Sequence, residues 1–327
     1  MATSNSWDTL RTGTQILTAA LEDLGEIEPG GTVSSALSTM CLNRLNNIFK
    51  QYSGRADGSP GLKIHTRQRV TLLLQEAQQS YLIGPASTDA RASTQMGRTT
   101  IRTTEAAGQT VLDITATTDT TTYPGTTITM TASDIIAVEQ NDGTLFFSTI
   151  SSTGAGPVVT IGAGLDVAAA AGNYVYWFTS RAQRLVHVES VLLRDENYTD
   201  TALQVYSDAR EYDQGVSDKY ADGDPSAVLI EPLRIATRVT LNSQPSDVTK
   251  QLIIVGWYPT EDIDSGSDDV GFPQEAFRFL VSELAFSIAP GLGAPWTQVH
   301  EKARVEARAS YLSLNPEMCS IHFHSAT

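Results

Sequence analysis

Helical periodicity is confined to the two ends of this chain, and a long strand-textured stretch, 55–270, lies between them. At the N-terminal end, Trp7, Leu10, Leu17, Ala20, Leu21 and Leu24 recur at three- and four-residue steps, with Gly25 placed to cap a helix over 7–24. After the turn Pro29-Gly30-Gly31, a second stripe of Val33, Leu37, Met40, Cys41, Leu45, Ile48, Phe49 and Tyr52 predicts a helix over 32–52. At the other end, Phe277, Leu280, Val281, Leu284, Ala285 and Ile288 form the apolar face of a helix opened by Phe272-Pro273 and stopped by Pro290-Gly291. A fourth helix opens at Pro295, carries Trp296, Val299, Ala303, Ala307, Tyr311 and Leu314, and ends at Asn315-Pro316. Neither pair can bury its stripe alone, so 1–54 and 271–327 are expected to form one four-helix unit. Its packing residues are Leu21, Leu24, Leu45, Ile48, Phe49, Phe277, Leu284 and Ile288.

The middle of the chain is rich in Thr, Val, Ile, Gly and Tyr and is punctuated by turn signals such as Asn141-Asp142-Gly143. Short strands are expected at 110–114, 127–130, 135–139, 144–148, 157–161 and 174–178. Their near-regular spacing predicts a small β-barrel or sandwich module over 92–178. It is set into a β platform made of 55–91 and 179–270. The fold class is therefore α+β: a helical unit from both chain ends with a large β-rich insertion.

Charge narrows the function. A formal net charge of −15 argues against a protein that clamps nucleic acid through its phosphates, although it suits a surface that DNA slides past. With 41% hydrophobic residues and a mean hydropathy of −0.14, the chain can build real cores. It has no apolar run long enough to span a membrane, and Met1–Trp7 lacks the features of a secretory signal. The only two cysteines, Cys41 and Cys319, make no disulfide framework and fit synthesis in a reducing cytoplasm.

The acidic, cysteine–histidine and glycine motifs read as structural. The acidic run Asp262–Asp269 places Gly266 and Pro273 where a calcium loop does not want them, so it is expected to be a solvated loop leading into a helix. Cys319, His322 and His324, with His300 nearby, lack zinc-finger spacing. The glycine pairs at 154 and 156, 162 and 164, and 291 and 293 are turn glycines and not a phosphate loop. No Ser/His/Asp or Cys/His arrangement has a local signature. No catalytic residue, cofactor or metal is assigned.

Ala19–Gly25, Leu42–Phe49 and above all Leu284–Pro290 resemble the head-to-tail adaptor proteins of short-tailed bacteriophages. Tyr212, Tyr220–Pro225 and Leu252–Pro259 are similar to the β region of larger head–tail and tail-tube adaptors. The resemblance departs in size, since small adaptors have little between their helix pairs, and 92–178 adds nothing to it. What it implies is a structural virion protein at the head–tail junction, made in the host bacterial cytoplasm. Such a protein forms a ring of roughly twelve copies around the DNA channel. The implied partners are the portal protein, a tail nozzle or tail-tube protein, and tail fibres or spikes. DNA passes through without specific binding, and no membrane is involved. The tail after Pro316 keeps Met318, Ile321, His322, Phe323 and His324, more apolar and aromatic groups than a merely soluble end needs. In the resembling adaptors this region reaches the portal, which makes these five residues the candidates for portal docking. A second reading stands beside it: a tail-associated glycan-binding or cell-wall-degrading protein acting through the β insertion.

Overall fold

Thr12 sets where the first helix begins. Its hydroxyl accepts the Gln15 N–H at 3.3 Å while the Gln15 side-chain carbonyl accepts the Thr12 N–H at 3.2 Å, a reciprocal cap that satisfies two open donors. Because Thr12 itself is extended, α1 runs Gly13–Asp23. Gly25, in the left-handed region at φ 72°, closes the helix as Glu26 N–H reaches back to Leu21 O at 3.0 Å.

The computed structural model describes residues 11–53, 67–85, 91–122 and 126–313, apart from 155, 220, 247, 260 and 273. Trp7 and Leu10 lie outside this set. Strand residues (32%) outnumber helical ones (25%), so the chain is a mixed α and β protein of mostly β content. It divides into two compact units, one holding the described residues of 1–67 and 259–327 and the other spanning 68–258.

In the first unit, α1 is joined by α2 (Ser35–Ser53), α4 (Phe277–Leu292) and α5 (Gln298–Ser313). Ser34, inside the span 32–52 expected to be helical, lies just ahead of α2 and accepts the Leu37 N–H at 3.4 Å. Pro290 does not stop α4. The last turn runs past it to Gly293, whose φ of 72° and N–H to Ala289 O make it the true cap. Likewise α5 starts after Pro295, where Thr297 Oγ1 accepts the His300 N–H at 3.4 Å. One hydrophobic cluster draws Ile16, Leu17 and Leu21 from α1, Leu45, Ile48 and Phe49 from α2, Phe279, Leu280, Leu284 and Ile288 from α4, and Tyr311 from α5. Leu24 and Phe277 sit at its edge, partly buried. Helix α4 touches α1, α2 and α5, which explains why apolar residues lie all around it.

In the second unit, β1 (Arg67–Leu73), β3 (Ala92–Ser93), β12 (His187–Arg194), β13 (Asp200–Ala202) and β17 (Gln251–Trp257) form a sheet ordered β13-β12-β17-β1-β3. A second sheet, β14-β15-β16-β2, uses β2 (Ser80–Ile83), β14 (Gln204–Tyr206), β15 (Ala227–Pro232) and β16 (Thr237–Leu241). Both sheets feed one core, with Val70, Leu72, Val191 and Ile254 from the first and Tyr81, Val228, Val239 and Leu241 from the second. The pair β14–β15 is parallel, so its connection must cross over, and it does so through α3 (Ala209–Gly215).

The remaining strands are β4 (Gly97–Thr100), β5 (Val111–Asp113), β6 (Thr118–Asp119), β7 (Ile128–Thr129), β8 (Ile135–Glu139), β9 (Leu145–Thr153), β10 (Val158–Ile161) and β11 (Tyr174–Phe178). Six of them form an antiparallel sheet, β4-β11-β8-β9-β10-β5, that curls as a half-barrel. Its edges meet where Ile101 bridges Ile114 and Thr115 N–H donates to Thr100 O at 2.8 Å. Ala92–Ser93, inside the span read from sequence as the module, pairs with β1 in the five-stranded sheet. At β8 and β11 the curled sheet is covered on both faces. Val175 and Trp177 point into its own core, whereas Tyr176 and Phe178 join a separate cluster with Leu73 of β1 and Val248.

Candidate interaction surface

The five tail residues Met318, Ile321, His322, Phe323 and His324, together with Cys319, lie outside the described residues. What the structure does place is the corner where α4 turns into α5. Arg304 anchors it. Its guanidinium donates to both carboxylate oxygens of Glu283, at 3.0 and 3.2 Å, and to Glu301 at 2.9 and 3.2 Å. It also lies 4.2 Å above the Phe286 ring. Glu283 is buried, and its charge is tolerable because Arg304 Nη1 donates to both of its oxygens while Nε and Nη2 form a two-nitrogen fork on Glu301. Hydrogen bonds from Arg304 and Trp296 hold the Glu301 carboxyl below its ordinary range, and those to Glu301 raise Arg304 further.

Trp296 adds the outer wall. Its Nε1 donates to Glu301 at 3.0 Å, and its ring meets Phe286 edge-on at 5.3 Å and His300 at 5.3 Å. Beside it opens a cavity of about 350 Å³ lined by Asp23, Leu24, Arg278, Ser282, Trp296 and His300. Burial pushes the Asp23 carboxyl up, with His300 and Arg278 only partly offsetting it. The outward side of α5 carries Val299, 75% exposed, and Val305, 54% exposed, between Lys302 and Glu306.

The acidic run is a loop ahead of a helix, as the sequence suggested, with Asp262, Asp264 and Asp269 exposed, but it is also anchored at defined points. Asn46 of α2 clamps Ile263 by both its backbone groups, at 2.9 and 3.0 Å, and Ile263 is buried. Thr14 N–H donates to Gly266 O at 2.7 Å, and Asp268 Oδ2 accepts the N–H groups of Asp264 and Ser265. These bonds tie 261–270 to the start of α1 and to the second half of α2. Among the described residues, no group of three or more His, Cys, Asp or Glu side chains is placed to hold a metal ion, and no helix is long and apolar enough to cross a membrane.

Sequence periodicity passed over Phe279, which stacks on Tyr311 at 5.0 Å and meets Tyr52 edge-on at 5.1 Å. It lies off the expected stripe, and the signal that finds it is the near-continuous apolar run from Phe277 to Ala289.

The chain matches no protein-family model and no curated protein. Among solved structures it is similar to VP17, a capsid protein of bacteriophage P23-77, at 9% identity and a TM-score of 0.11, over 63% of this chain and 77% of that one. A likeness at that level carries no argument about fold or function.

Proposed function

We propose that this chain is a structural subunit of a bacteriophage particle, a ring-forming adaptor that joins the portal of the head to the tail. It works by contact and not by catalysis. The supporting observation is the single hydrophobic cluster shared by helices from both chain ends, with 68–258 inserted between them. In this reading α1, α2, α4 and α5 act as one four-helix unit, and the curled sheet is a small barrel directed at other tail parts, whether nozzle, tail tube, fibres or spikes. The tail with Met318, Ile321, His322, Phe323 and His324 docks on the portal. A net charge of −15 per copy keeps DNA moving through the ring without specific binding.

Purified chain mixed with purified portal rings is the test, read by light scattering or native mass measurement. The expected product is a complex carrying roughly twelve copies of the chain per portal ring. Truncation after Asn315 is expected to abolish that complex while leaving the unfolding temperature unchanged. A chain that stays monomeric and ignores the portal at every concentration counts against the reading.

A further inference from the structure

The β15–β16 hairpin ends in a turn whose side chains its own fold does not use. Leu233 N–H donates to Ala236 O at 2.8 Å and closes a two-residue loop, Arg234-Ile235. Loops of this length are ordinarily built from Gly, Asn or Asp, which turn the chain at low cost. Here a β-branched residue stands in the turn, and Ile235 is 70% exposed. Arg238 meets Glu231 at 3.6 Å, so the exposed Arg234 is the charge that the tip itself presents. The tip is also held firmly. A side chain on Gly84 would come within 2.9 Å of Ile235 O, and Thr237 Oγ1 both donates to Leu185 O at 2.8 Å and accepts the Leu185 N–H at 2.7 Å.

The opposite end of the same two strands carries the counterpart. β15 runs Ala227–Pro232, so about 17 Å of strand separates the two ends. At the far end opens a cleft of about 400 Å³, lined by the exposed Asp218, Asp222 and Asp224 and by the half-buried Tyr206. Its frame is fixed by backbone and amide bonds. Asn242 Oδ1 accepts the Ser226 and Ala227 N–H groups, each at 2.9 Å, and Gly223 N–H donates to Gln244 O at 2.9 Å. Lys250 meets Asp224 and Lys219 meets Asp213. Six acidic residues against two basic ones across 208–224 still leave this end anionic.

We propose that the Arg234-Ile235 tip of one copy seats in this cleft of the next copy, a head-to-tail contact that repeats along the assembly. It deepens the ring reading by naming the two surfaces, and rests on that reading for the closure of the assembly on itself. A second copy is the partner because one chain carries both halves and their chemistry is complementary. Arg234 meets the carboxylates, Asp222 first among them, and Ile235 covers the Tyr206 ring. The two surfaces differ and lie at opposite ends, so each copy uses one toward either neighbour. That arrangement builds rings or open filaments and does not stop at two copies. The charge of −15 on each copy opposes association at long range. Salt near 0.15 M, with a screening length of about 8 Å, suppresses that repulsion and leaves pairs in contact largely intact.

Sedimentation of the full chain at about 0.15 M salt, over a range of concentrations, is the test. The parent is expected to pass from monomer to species larger than a dimer. Ile235→Asp, Arg234→Glu and Asp222→Arg change exposed residues, so each should keep the parent's unfolding temperature. Each is expected to weaken self-association by about tenfold or more. The decisive sample mixes the Arg234→Glu and Asp222→Arg proteins. Each alone brings like charges together, whereas in the mixture alternating copies join opposite charges at every contact, so assembly should return to near the parental level. The contact is overturned by variants that assemble like the parent, by no return in the mixture, or by a parent that stays monomeric or stops at a dimer. Portal rings added to the same samples separate this contact from the adaptor role. A chain that ignores the portal yet shows the return in the mixture keeps the contact and loses only the adaptor role. A portal ring decorated equally by parent and variants, with no difference in self-association, loses only the contact.

Discussion

Gly97 and Trp177 face each other across the β4–β11 pair, and the indole of Trp177 fills the space that a side chain on Gly97 would need. Trp177 is fully buried in the core of the curled sheet, so the ring has nowhere to go. Glycine in a strand is ordinarily a weakness, but here it admits the largest side chain of that core.

Gly97→Ala should therefore destabilise the β unit by overpacking, by about 3 kcal/mol. Urea unfolding checks this, with tryptophan fluorescence as the probe. A shift below roughly 0.5 kcal/mol means that the ring moves aside freely.

Leu284 has no exposed surface and lies in the cluster fed by α1, α2 and α4. Leu284→Ala is expected to cost about 2–5 kcal/mol, and Leu284→Asp more, since the new charge has no partner there. Hydrogen exchange provides the sharper readout. Amides of α1, α2, α4 and α5 should lose protection while those of 68–258 keep theirs, because the two units have separate cores. Equal loss in both units would mean that they unfold as one.

Much of this arrangement was legible in the sequence because it is periodic. The stripes of α2 and α4 repeat at helical spacing, and the run Tyr174–Phe178 reads as a strand at once. Its continuous apolar character also signals burial on both faces, which places Tyr176 and Phe178 against Leu73 and Val248. Features without a period stayed hidden. The Asn46 clamp on Ile263 spans 217 residues and involves one polar side chain, so no pattern announces it. Helix ends shifted for a local reason: Thr12, Thr297 and Gly293 cap better than the prolines and glycines nearby.

The Glu283–Arg304 pair offers a test of buried charge. Arg304→Met leaves Glu283 without its cationic partner and should cost about 3–5 kcal/mol. The double variant with Glu283→Met as well should regain most of that loss, since two apolar groups replace two desolvated charges. Thermal unfolding of the four proteins in a double-mutant cycle measures the coupling. Additive losses would show that the pair contributes no interaction of its own.

Acid sensitivity should be traceable to Asp119. Burial pushes its carboxyl up, but hydrogen bonds from Thr122, from Thr121 and from the Arg98 N–H outweigh this and hold it below its ordinary range. A carboxyl depressed in the folded state adds stability above its unfolded pKa of about 3.9 and loses it as pH falls toward the folded value. Asp119→Asn is expected to be less stable than the parent at pH 7, with the gap closing below about pH 4. A gap constant from pH 7 to 2 would place the acid limb elsewhere.

The last prediction concerns removal of the curled sheet. Read from sequence, 92–178 is a small β module set into the platform, and the structure gives it an attachment beyond the two chain crossings. Tyr176 and Phe178 cover Leu73 and Val248, which have almost no exposed surface in the intact chain. On the other side, Arg98 lies 4.3 Å over the Tyr198 ring and donates to Glu196 O at 3.1 Å. Thr122 Oγ1 meets the Tyr198 hydroxyl at 3.1 Å. Tyr198 sits at φ 63°, a conformation costly for a non-glycine residue, so these contacts hold a strained turn in place. Replacing 97–178 by a short Gly/Ser link should therefore expose Leu73 and Val248, at about 1.5–3 kcal/mol each, and release the turn. The product is expected to bind a hydrophobic dye and unfold at a lower temperature than the parent. Adding Leu73→Thr, Val248→Thr and Tyr198→Gly to the deletion should remove the dye binding and recover part of the lost stability. A simple deletion that binds no dye and keeps its unfolding temperature would mean that the β platform is closed without the curled sheet, and that the contacts at Leu73 and Tyr198 are incidental.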